Sequence, residues 1–299
     1  MPELAGADPK IKLLTADLSL LSGMERYIKE HPDQFLNTGI AEQNMVGIAA
    51  GLAMEGYRVF ATTYAAFIAV RSLEHVRQHL GHLQCDVKLI GSSGGVAASK
   101  SGISHWATED MAFIRAIPGI EVYSPADALE AIKVVEYAAT HSGPMYIRLT
   151  GTMDCPVVYK EDFDWQPGQN GVLREGGDVA ILATGMMVAK SMKAADILSD
   201  KGIEAEVVDV SSLAPLDEMY LKDACDRFPF LVTAEEHGIR GGLGGAVAET
   251  ISGFVRSPRL MRLGITGYMD KLGSYEYVLE QMGLTPEGIA GQVEAALVR

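Results

Sequence analysis

Short apolar runs alternate with longer amphipathic segments along the first half of the chain, and the alternation predicts a succession of strands and helices. The predicted strands lie at 12–18, around 35, and at 57–62, 86–91, 120–123 and 145–149. The predicted helices lie at 22–30, from about 42 to 53, and at 65–83, 108–116 and 126–141. Strand–helix alternation with short connections predicts an α/β fold in which a mainly parallel sheet is covered by helices on both faces.

A second run of the same kind follows a polar interval. Residues 151–177 are rich in Asp, Gly, Pro and Gln, as is typical of a linker. Beyond them we predict strands at 179–184, 204–209, 230–234 and 259–264, and helices at 186–199, 217–225, 242–254 and 286–298. A length of 299 residues suits two such domains. The predicted division is a first domain at 1–157, a linker at 158–177 and a second domain at 178–299.

The stretch 35–53 reads as a short strand, a tight turn and a helix that is apolar nearly all round. Asn37 or Thr38 is expected to cap this helix, and Gly39 to permit the turn. Glu42 falls in the first helical turn and has two interpretations. It either faces solvent and complements the helix dipole, or it is a buried carboxyl that shares a proton with a ligand. The local pattern favours the first, and the rest of the chain favours the second.

Composition narrows the possible partners. The 39 acidic and 25 basic residues give a net charge of −14, which argues against nucleic acid or an anionic membrane. The three cysteines lie far apart, without metal or redox spacing, and are expected to be free thiols in a reducing compartment. The N-terminal residues have no signal-peptide pattern, and no apolar run is long enough to span a bilayer. We therefore predict a cytoplasmic protein.

Several polar and aromatic residues follow predicted strands. Glu42, Tyr64 and the loop that ends at His105 each come after a strand. Ligands of such sheets bind beyond the carboxyl ends of the strands. We expect these residues to converge at one edge of the first sheet.

Several ordered motifs resemble the pyrimidine-binding domain of transketolase. They are Ala16-Asp17-Leu18, Gly39-Ile40-Ala41-Glu42-Gln43-Asn44, Thr62-Thr63-Tyr64-Ala65-Ala66-Phe67, Gly102-Ile103-Ser104-His105, Glu109-Asp110 and Ser124-Pro125-Ala126-Asp127. Glu235-Glu236-His237 with Gly241-Gly242-Leu243-Gly244 resembles the family's C-terminal domain. The resemblance covers almost the whole chain, which is most similar to the C-terminal subunit of split transketolases. 1-Deoxyxylulose-5-phosphate synthase and the β subunit of 2-oxoacid dehydrogenase E1 are more distantly similar.

The resemblance implies thiamine diphosphate as cofactor. On this basis Glu42 hydrogen-bonds to N1′ of the aminopyrimidine and favours the imino tautomer, which removes the proton from the thiazolium C2. Phe67 packs on the aminopyrimidine with Tyr64 beside it, although aromatic residues at i and i+3 are otherwise ordinary core packing. Leu18 corresponds to the apolar residue that keeps the cofactor bent. Asp17 lies next to it and is equally compatible with a turn.

The histidines differ in what the resemblance implies for them. His105 matches the family histidine that reaches the reacting carbonyl and its developing alkoxide. His75, His79 and His82 have helical spacing but lack other metal ligands, so we expect them at the surface or facing a partner. His237 receives no role.

Half of the family's site is missing from the sequence. The Gly-Asp-Gly motif that, with a later Asn, binds Mg²⁺ and the diphosphate is absent, since Gly177-Asp178-Val179 precedes a strand. We therefore expect no metal ligands in this chain and a separate α-type subunit that supplies them, with oxygen ligands for Mg²⁺. The expected assembly is an α2β2 heterotetramer.

The loop before His105 departs from sugar-phosphate transketolases. A family histidine is replaced by Ser93, and an acidic pair by Lys100-Ser101. Trp106 follows the histidine, and Thr150-Gly151 stands where a phosphate-binding arginine is common. The expected substrate site is Ser93, Lys100, Ser101, His105 and Trp106, with Lys100 meeting an anionic group. The alternative is that Lys100 is a solvated loop residue.

We therefore predict a transferase subunit that moves a two-carbon ketol or acyl unit between carbonyl compounds. A first alternative is an E1 β-like or deoxyxylulose-phosphate-synthase-like subunit. A second, from another class, is a catalytically silent scaffolding or regulatory subunit. The presence of Glu42, Phe67 and His105 together argues against a catalytically silent subunit.

Overall fold

The computed structural model describes residues 1–19, 23–151, 155–269 and 272–298, and it confirms a two-sheet α/β fold. The strands are β1 (Ile11–Thr15), β2 (Phe35–Asn37), β3 (Arg58–Tyr64), β4 (Val87–Gly94), β5 (Glu121–Tyr123), β6 (Met145–Thr150), β7 (Gly171–Arg174), β8 (Val179–Ala183), β9 (Ala205–Asp209), β10 (Ser212–Ala214), β11 (Phe230–Gly238) and β12 (Arg259–Ile265). The α-helices are α1 (Pro2–Ala7), α2 (Glu25–Glu30), α3 (Glu42–Met54), α4 (Leu73–Val76), α5 (Asp110–Arg115), α6 (Ala128–Thr140), α7 (Met187–Ser199), α8 (Glu218–Arg227), α9 (Leu243–Ile251), α10 (Tyr275–Gln281) and α11 (Pro286–Leu297).

The two sheets are parallel except at one edge each. The first has the order β10-β5-β6-β4-β3-β1-β2, and the second has the order β12-β11-β8-β9-β7. The edge strands β10 and β7 pair antiparallel with β5 and β9. Strands β8 and β9 are buried along their whole length, as is expected when helices cover both faces of a parallel sheet.

The edge strands β7 and β10 and two helices were not predicted from the sequence. Strand β7 lies within the predicted linker, and β10 follows the second-domain strand β9 in the chain but joins the first sheet. Both strands are short, and their pairing depends on tertiary contacts that a periodicity cannot reveal. Helices α1 and α10, of six and seven residues, are also too short to show a clear period. The predicted start of α2 at residue 22 lies outside the described residues.

The segment predicted as one helix at 65–83 is interrupted. It contains a π-helical turn at Phe67–Arg71, the short α4, and a second π-helical turn at Arg77–His82. Because π turns contain more than 3.6 residues, sequence spacing cannot place His75, His79 and His82 in one row. The rings of His75 and His79 lie 6.1 Å apart between centroids. No group of three or more potential metal-binding side chains occurs within the described ranges.

The two domains share an apolar core. One continuous cluster joins Leu14 and Val46 of the first domain to Leu182, Leu221 and Val247 of the second. Burial of apolar surface is non-directional but strong in sum, so this contact holds the sheets together. Within the part of the chain that the structure covers, no helix has the length and apolar character needed to cross a bilayer.

A buried acidic cluster also joins the domains. Asp127 caps α6, and its Oδ2 accepts the N–H groups of Val158 and Tyr159, both at 2.8 Å. Tyr159 donates its hydroxyl to Asp209 at 2.7 Å. The carboxyls of Glu130 and Asp209 lie within hydrogen-bonding reach, and burial raises the pKa of both. We infer that the two carboxyls share a proton, which satisfies Asp209 Oδ1, an atom with no other donor among the described residues.

This pair predicts a particular pH dependence of stability. The folded chain keeps a proton that the unfolded chain releases near pH 4, so stability falls as pH rises above that value. We expect Asp209→Asn, which keeps the shape without the proton, to become more stable relative to wild type between pH 5 and 8. The slope is at most roughly 1.4 kcal/mol per pH unit. Urea unfolding at each pH measures it, with exposed Asp200→Asn as control. Parallel curves for wild type and Asp209→Asn would contradict the shared proton.

Candidate active site

Four adjacent strands bring the predicted site residues to one edge of the first sheet. Thr15 of β1 is level with Asn37 of β2 on one side and Thr62 of β3 on the other. Tyr64, at the end of β3, is level with Ser92 of β4. Asp17, Leu18, Glu42, Tyr64 and Ser93 all belong to the carboxyl ends of these strands or to the segments that follow them. Parallel pairing therefore positions them on the side where such sheets bind ligands.

Glu42 is buried, which supports the second interpretation of this residue. It begins α3 and is 2% exposed, and its Oε2 accepts a hydrogen bond from Arg71 Nη1 at 2.9 Å. The predicted cap is wrong, because Ala41 occupies the cap position and no side chain caps the helix. The Asn37 side chain instead accepts the N–H groups of Asp17 and Gly39. Glu42 is therefore a carboxylate held inside the protein by one cation.

The cation that pairs with Glu42 also covers Phe67. The guanidinium carbon of Arg71 lies 4.3 Å from the centroid of the Phe67 ring, and the Arg71 side chain is 48% exposed. A guanidinium is flat, carries N–H donors and stacks on aromatic rings. An aminopyrimidine ring needs the same two contacts, an aromatic face and a carboxylate. Arg71 thus stands in for such a ring, and the residues present fit that part of thiamine diphosphate.

Tyr64, Phe67 and His105 form one aromatic group. The ring centroids of Tyr64 and Phe67 are 5.8 Å apart, and that of His105 is 5.8 Å from Tyr64 and 5.2 Å from Phe67, all near edge-to-face. His105 Nδ1 lies 2.9 Å from the Ser104 hydroxyl. Its Nε2 has no hydrogen-bond partner within the described ranges. The loop histidine therefore lies beside the Phe67 ring with one ring nitrogen free.

Asp17 and Leu18 lie in the turn after β1. Asp17 is exposed with a φ of 63°, and it accepts a hydrogen bond from the Asn37 side-chain amide at 2.9 Å. Leu18 is half-buried. Asp17 therefore links the turns after β1 and β2, which supports its interpretation as a turn residue. Leu18 follows it at the same edge of the sheet.

The predicted substrate residues differ in how exposed their side chains are. Ser93 is half-buried with a φ of 52°, while Lys100 and Ser101 are exposed in the loop that ends at His105. Trp106 does not present a surface next to the histidine. It is 3% exposed and packs into the core of the second domain, because its large apolar ring gains most from burial there.

A buried polar group that the sequence analysis did not identify lies beneath this loop. Arg148 is fully buried and donates to Asp110 Oδ2 at 2.8 Å, to the Ala107 carbonyl at 3.0 Å and to the Glu236 carbonyl at 2.9 Å. Tyr146 donates to the same Asp110 oxygen at 2.6 Å. Asp110 and Glu236 belong to motifs quoted above, whereas Arg148 stands inside a predicted strand and was assigned no role.

The Glu-Glu-His motif lies at the end of β11 and is buried. Burial raises the pKa of Glu235 and of Glu236 to about 7 each. His237 Nδ1 donates to the Gly238 carbonyl at 2.8 Å, and burial lowers the pKa of its imidazole. The histidine is therefore a neutral, hydrogen-bonded core residue.

Comparison with known proteins defines the class. The family model for the transketolase pyrimidine-binding domain matches residues 1–152, and the model for the transketolase C-terminal domain matches residues 168–289. The chain belongs to the transketolase family, whose members depend on thiamine diphosphate.

Its similarity to separate transketolase chains narrows this further. The chain is 36% identical to a putative transketolase C-terminal section of Methanocaldococcus jannaschii, over 97% of this chain and 92% of the relative. It is 36% identical to the 6-deoxy-6-sulfo-D-fructose transketolase subunit SqwH of Clostridium sp. strain MSTE9, over 96% and 88%. A solved split-gene transketolase, an inactive β4 tetramer, has 39% identity and a TM-score of 0.88 over 99% and 94% of the two chains. The chain is thus of the C-terminal, or β, subunit type of split transketolases.

The Arg71–Glu42 pair predicts a coupled effect on stability. Arg71→Ala leaves a buried carboxylate without its donor, which should lower the free energy of unfolding by roughly 1–3 kcal/mol, toward the lower end because Arg71 is half-exposed. Glu42→Gln in the same background should restore most of the loss, since an amide needs no charged partner. Urea unfolding of the four proteins at pH 7 gives the coupling energy. Strictly additive effects would show that the pair contributes nothing.

Proposed function

We propose that this chain forms the half of a thiamine-diphosphate-dependent site that activates the cofactor and receives the substrate carbonyl. The reaction is transfer of a two-carbon ketol unit between carbonyl compounds. The observation that carries the proposal is the buried Glu42 carboxylate next to the Phe67 ring, with Arg71 in the place of an aminopyrimidine.

When bound, thiamine diphosphate supplies a thiazolium carbon that becomes a nucleophile on losing its proton. Glu42 shares a proton with the aminopyrimidine nitrogen N1′ and so sets the tautomer of that ring. Phe67 and Tyr64 bind the ring face, and Leu18 supports the bent form of the cofactor, with Asp17 beside it. Arg71 leaves Glu42 as the ring enters, which its exposed side chain permits.

His105 acts on the substrate. We take His105 as the tautomer in which the Ser104 hydroxyl donates to Nδ1, so that Nε2–H donates a hydrogen bond to the substrate oxygen on which negative charge develops. The edge-on contacts with Tyr64 and Phe67 keep the imidazole beside the cofactor ring.

A second chain completes the site. The sequence contains no Gly-Asp-Gly motif, and no group of three or more potential metal-binding side chains occurs within the described ranges. A partner of α type supplies the Mg²⁺ ligands and binds the diphosphate, in an α2β2 assembly. The similarity to a subunit described as an inactive β4 tetramer supports this dependence.

The direct test replaces Glu42 in the reconstituted complex. Glu42→Gln keeps the shape but cannot share the proton, so exchange of the cofactor C2 proton with D₂O should slow by about 10²–10⁴-fold. NMR of the acid-quenched cofactor measures the exchange. Glu55→Gln, at the other end of α3, should exchange like wild type.

Unchanged exchange in Glu42→Gln would contradict the assigned role. The isolated chain should show no turnover. Full activity without a partner would refute the shared site.

The charge of Lys100 bears on which substrates the site accepts. Lys100 is exposed in the loop that carries His105, in a chain of strongly negative net charge. We propose that it meets an anionic group of a substrate other than the usual pentose phosphates. The relative named for 6-deoxy-6-sulfo-D-fructose supports a family range that includes sulfonated sugars.

Charge reversal tests this role. Lys100→Glu should raise KM for the best anionic ketose by roughly two- to fivefold with a smaller effect on kcat, as is typical of an exposed ion pair. KM for neutral L-erythrulose should not change, and exposed Lys222→Glu should change neither. Steady-state kinetics of the complex with phosphate, sulfonate and carboxylate ketoses measures both. Efficient turnover of xylulose 5-phosphate with ribose 5-phosphate, insensitive to Lys100→Glu, would contradict the proposal.

A further inference from the structure

The loop that carries Lys100 and His105 is closed at its base. Gly95 and Ala107 exchange two backbone hydrogen bonds, at 3.0 and 2.8 Å. Because His105 lies two residues before Ala107, the position of this base determines where the imidazole lies. Whatever fixes the base therefore acts on the candidate site.

Two residues of β11 in the second domain, Glu236 and Gly238, contact the base on both sides. Glu236 Oε1 accepts the Val96 N–H at 2.7 Å. On the other side, Gly238 N–H donates to the Thr108 carbonyl at 2.7 Å. The Glu236 carbonyl shares the Arg148 guanidinium with Ala107. The second domain thus contacts both ends of the loop.

The approach of Glu236 is close enough to require a glycine. A Cβ on Gly95 would lie 2.3 Å from Glu236 Oε1, and the residue has a φ of +69°. The other carboxylate oxygen of Glu236, Oε2, accepts a hydrogen bond from the hydroxyl of Tyr275 in α10 at 2.6 Å. Both oxygens of a side chain only 1% exposed are therefore bound by donors, one from the loop and one from the second domain.

We infer that Glu236 is a positioning residue, which holds the base of the 95–107 loop through Val96 and so keeps His105 beside Phe67. The inference rests on the proposed function for its effect on catalysis, whereas its structural part concerns this chain alone. On this inference, the second domain holds the substrate side of the site in place. The residues of the cofactor side belong to the first domain.

The neighbouring Glu235 provides a matched control. It is equally buried and equally satisfied, but its two oxygens accept the N–H groups of Leu243 and Gly244, at 2.7 and 2.8 Å, in the first turn of α9. Glu235 thus stabilises a helix within its own domain. The two adjacent buried glutamates therefore accept hydrogen bonds from different segments, Glu236 from the loop base and Glu235 from α9.

Amide hydrogen exchange of the isolated chain tests the structural part. Glu236→Ala should speed exchange in the 96–107 segment about tenfold, the effect expected for loss of a buried hydrogen bond to a charged group. Glu236→Gln, which keeps one acceptor, should restore part of the protection. Tyr275→Phe should loosen the same segment. Glu235→Ala should speed exchange at the start of α9 and leave the loop unchanged, with β8 as internal reference.

Loop exchange at the wild-type rate in Glu236→Ala would overturn the inference, as would an increase spread evenly over the second domain. If Glu236→Ala does not fold, Tyr275→Phe and Glu236→Gln decide the question in the same way, because each removes only one contact of the carboxylate.

The catalytic part is tested in the complex. Tyr275→Phe and Glu236→Gln should lower kcat while the thiamine diphosphate Kd, measured by titration calorimetry, stays unchanged, because Glu42 and Phe67 are not on the loop. A weakened Kd with unchanged kcat would overturn it. A null result for Glu42→Gln would refute the proposed function without touching the exchange data, so the two failures are distinguishable.

Discussion

The structure depends on one particular fully buried cation, Arg148. A guanidinium without solvent must find protein partners, and its partners come from three segments, namely Asp110 of α5, Ala107 at the loop base and Glu236 of β11. Removing one partner from a buried ion pair costs roughly 3–5 kcal/mol. The first-domain sheet, the loop of His105 and the second domain are therefore bound to one another and cannot shift separately.

The candidate site contains a second arginine, Arg71, which differs from Arg148 in its exposure. Arg148 is fully buried, whereas Arg71 is half-exposed and pairs with Glu42 at the open edge of the sheet. In the proposed function, a ligand with an aromatic ring and N–H donors takes the place of the half-exposed Arg71 beside Glu42. The same physical chemistry thus holds the loop in place and leaves the cation that pairs with Glu42 exposed to solvent. The acidic pair of Glu130 and Asp209 adds a second contact between the domains.

Much of this arrangement could be predicted from the sequence, because periodicity and a series of ordered motifs indicate it. The central strands, the burial of Glu42 and the grouping of Tyr64, Phe67 and His105 follow from periodicity, strand ends and motif resemblance. The π-helical turns, the edge strands β7 and β10 and the burial of Trp106 do not, since they depend on tertiary packing. The contact between Glu236 and the loop could not be predicted either, because its partner Val96 lies 140 residues away in the chain.

A structure of this chain with its α-type partner and thiamine diphosphate tests the central claim most directly. The account predicts a Glu42 oxygen within hydrogen-bonding distance of the aminopyrimidine N1′, about 2.7–3.2 Å. It also predicts the pyrimidine on the Phe67 ring, with Arg71 moved away from both. A pyrimidine bound elsewhere, with the Arg71–Glu42 pair intact, would contradict it.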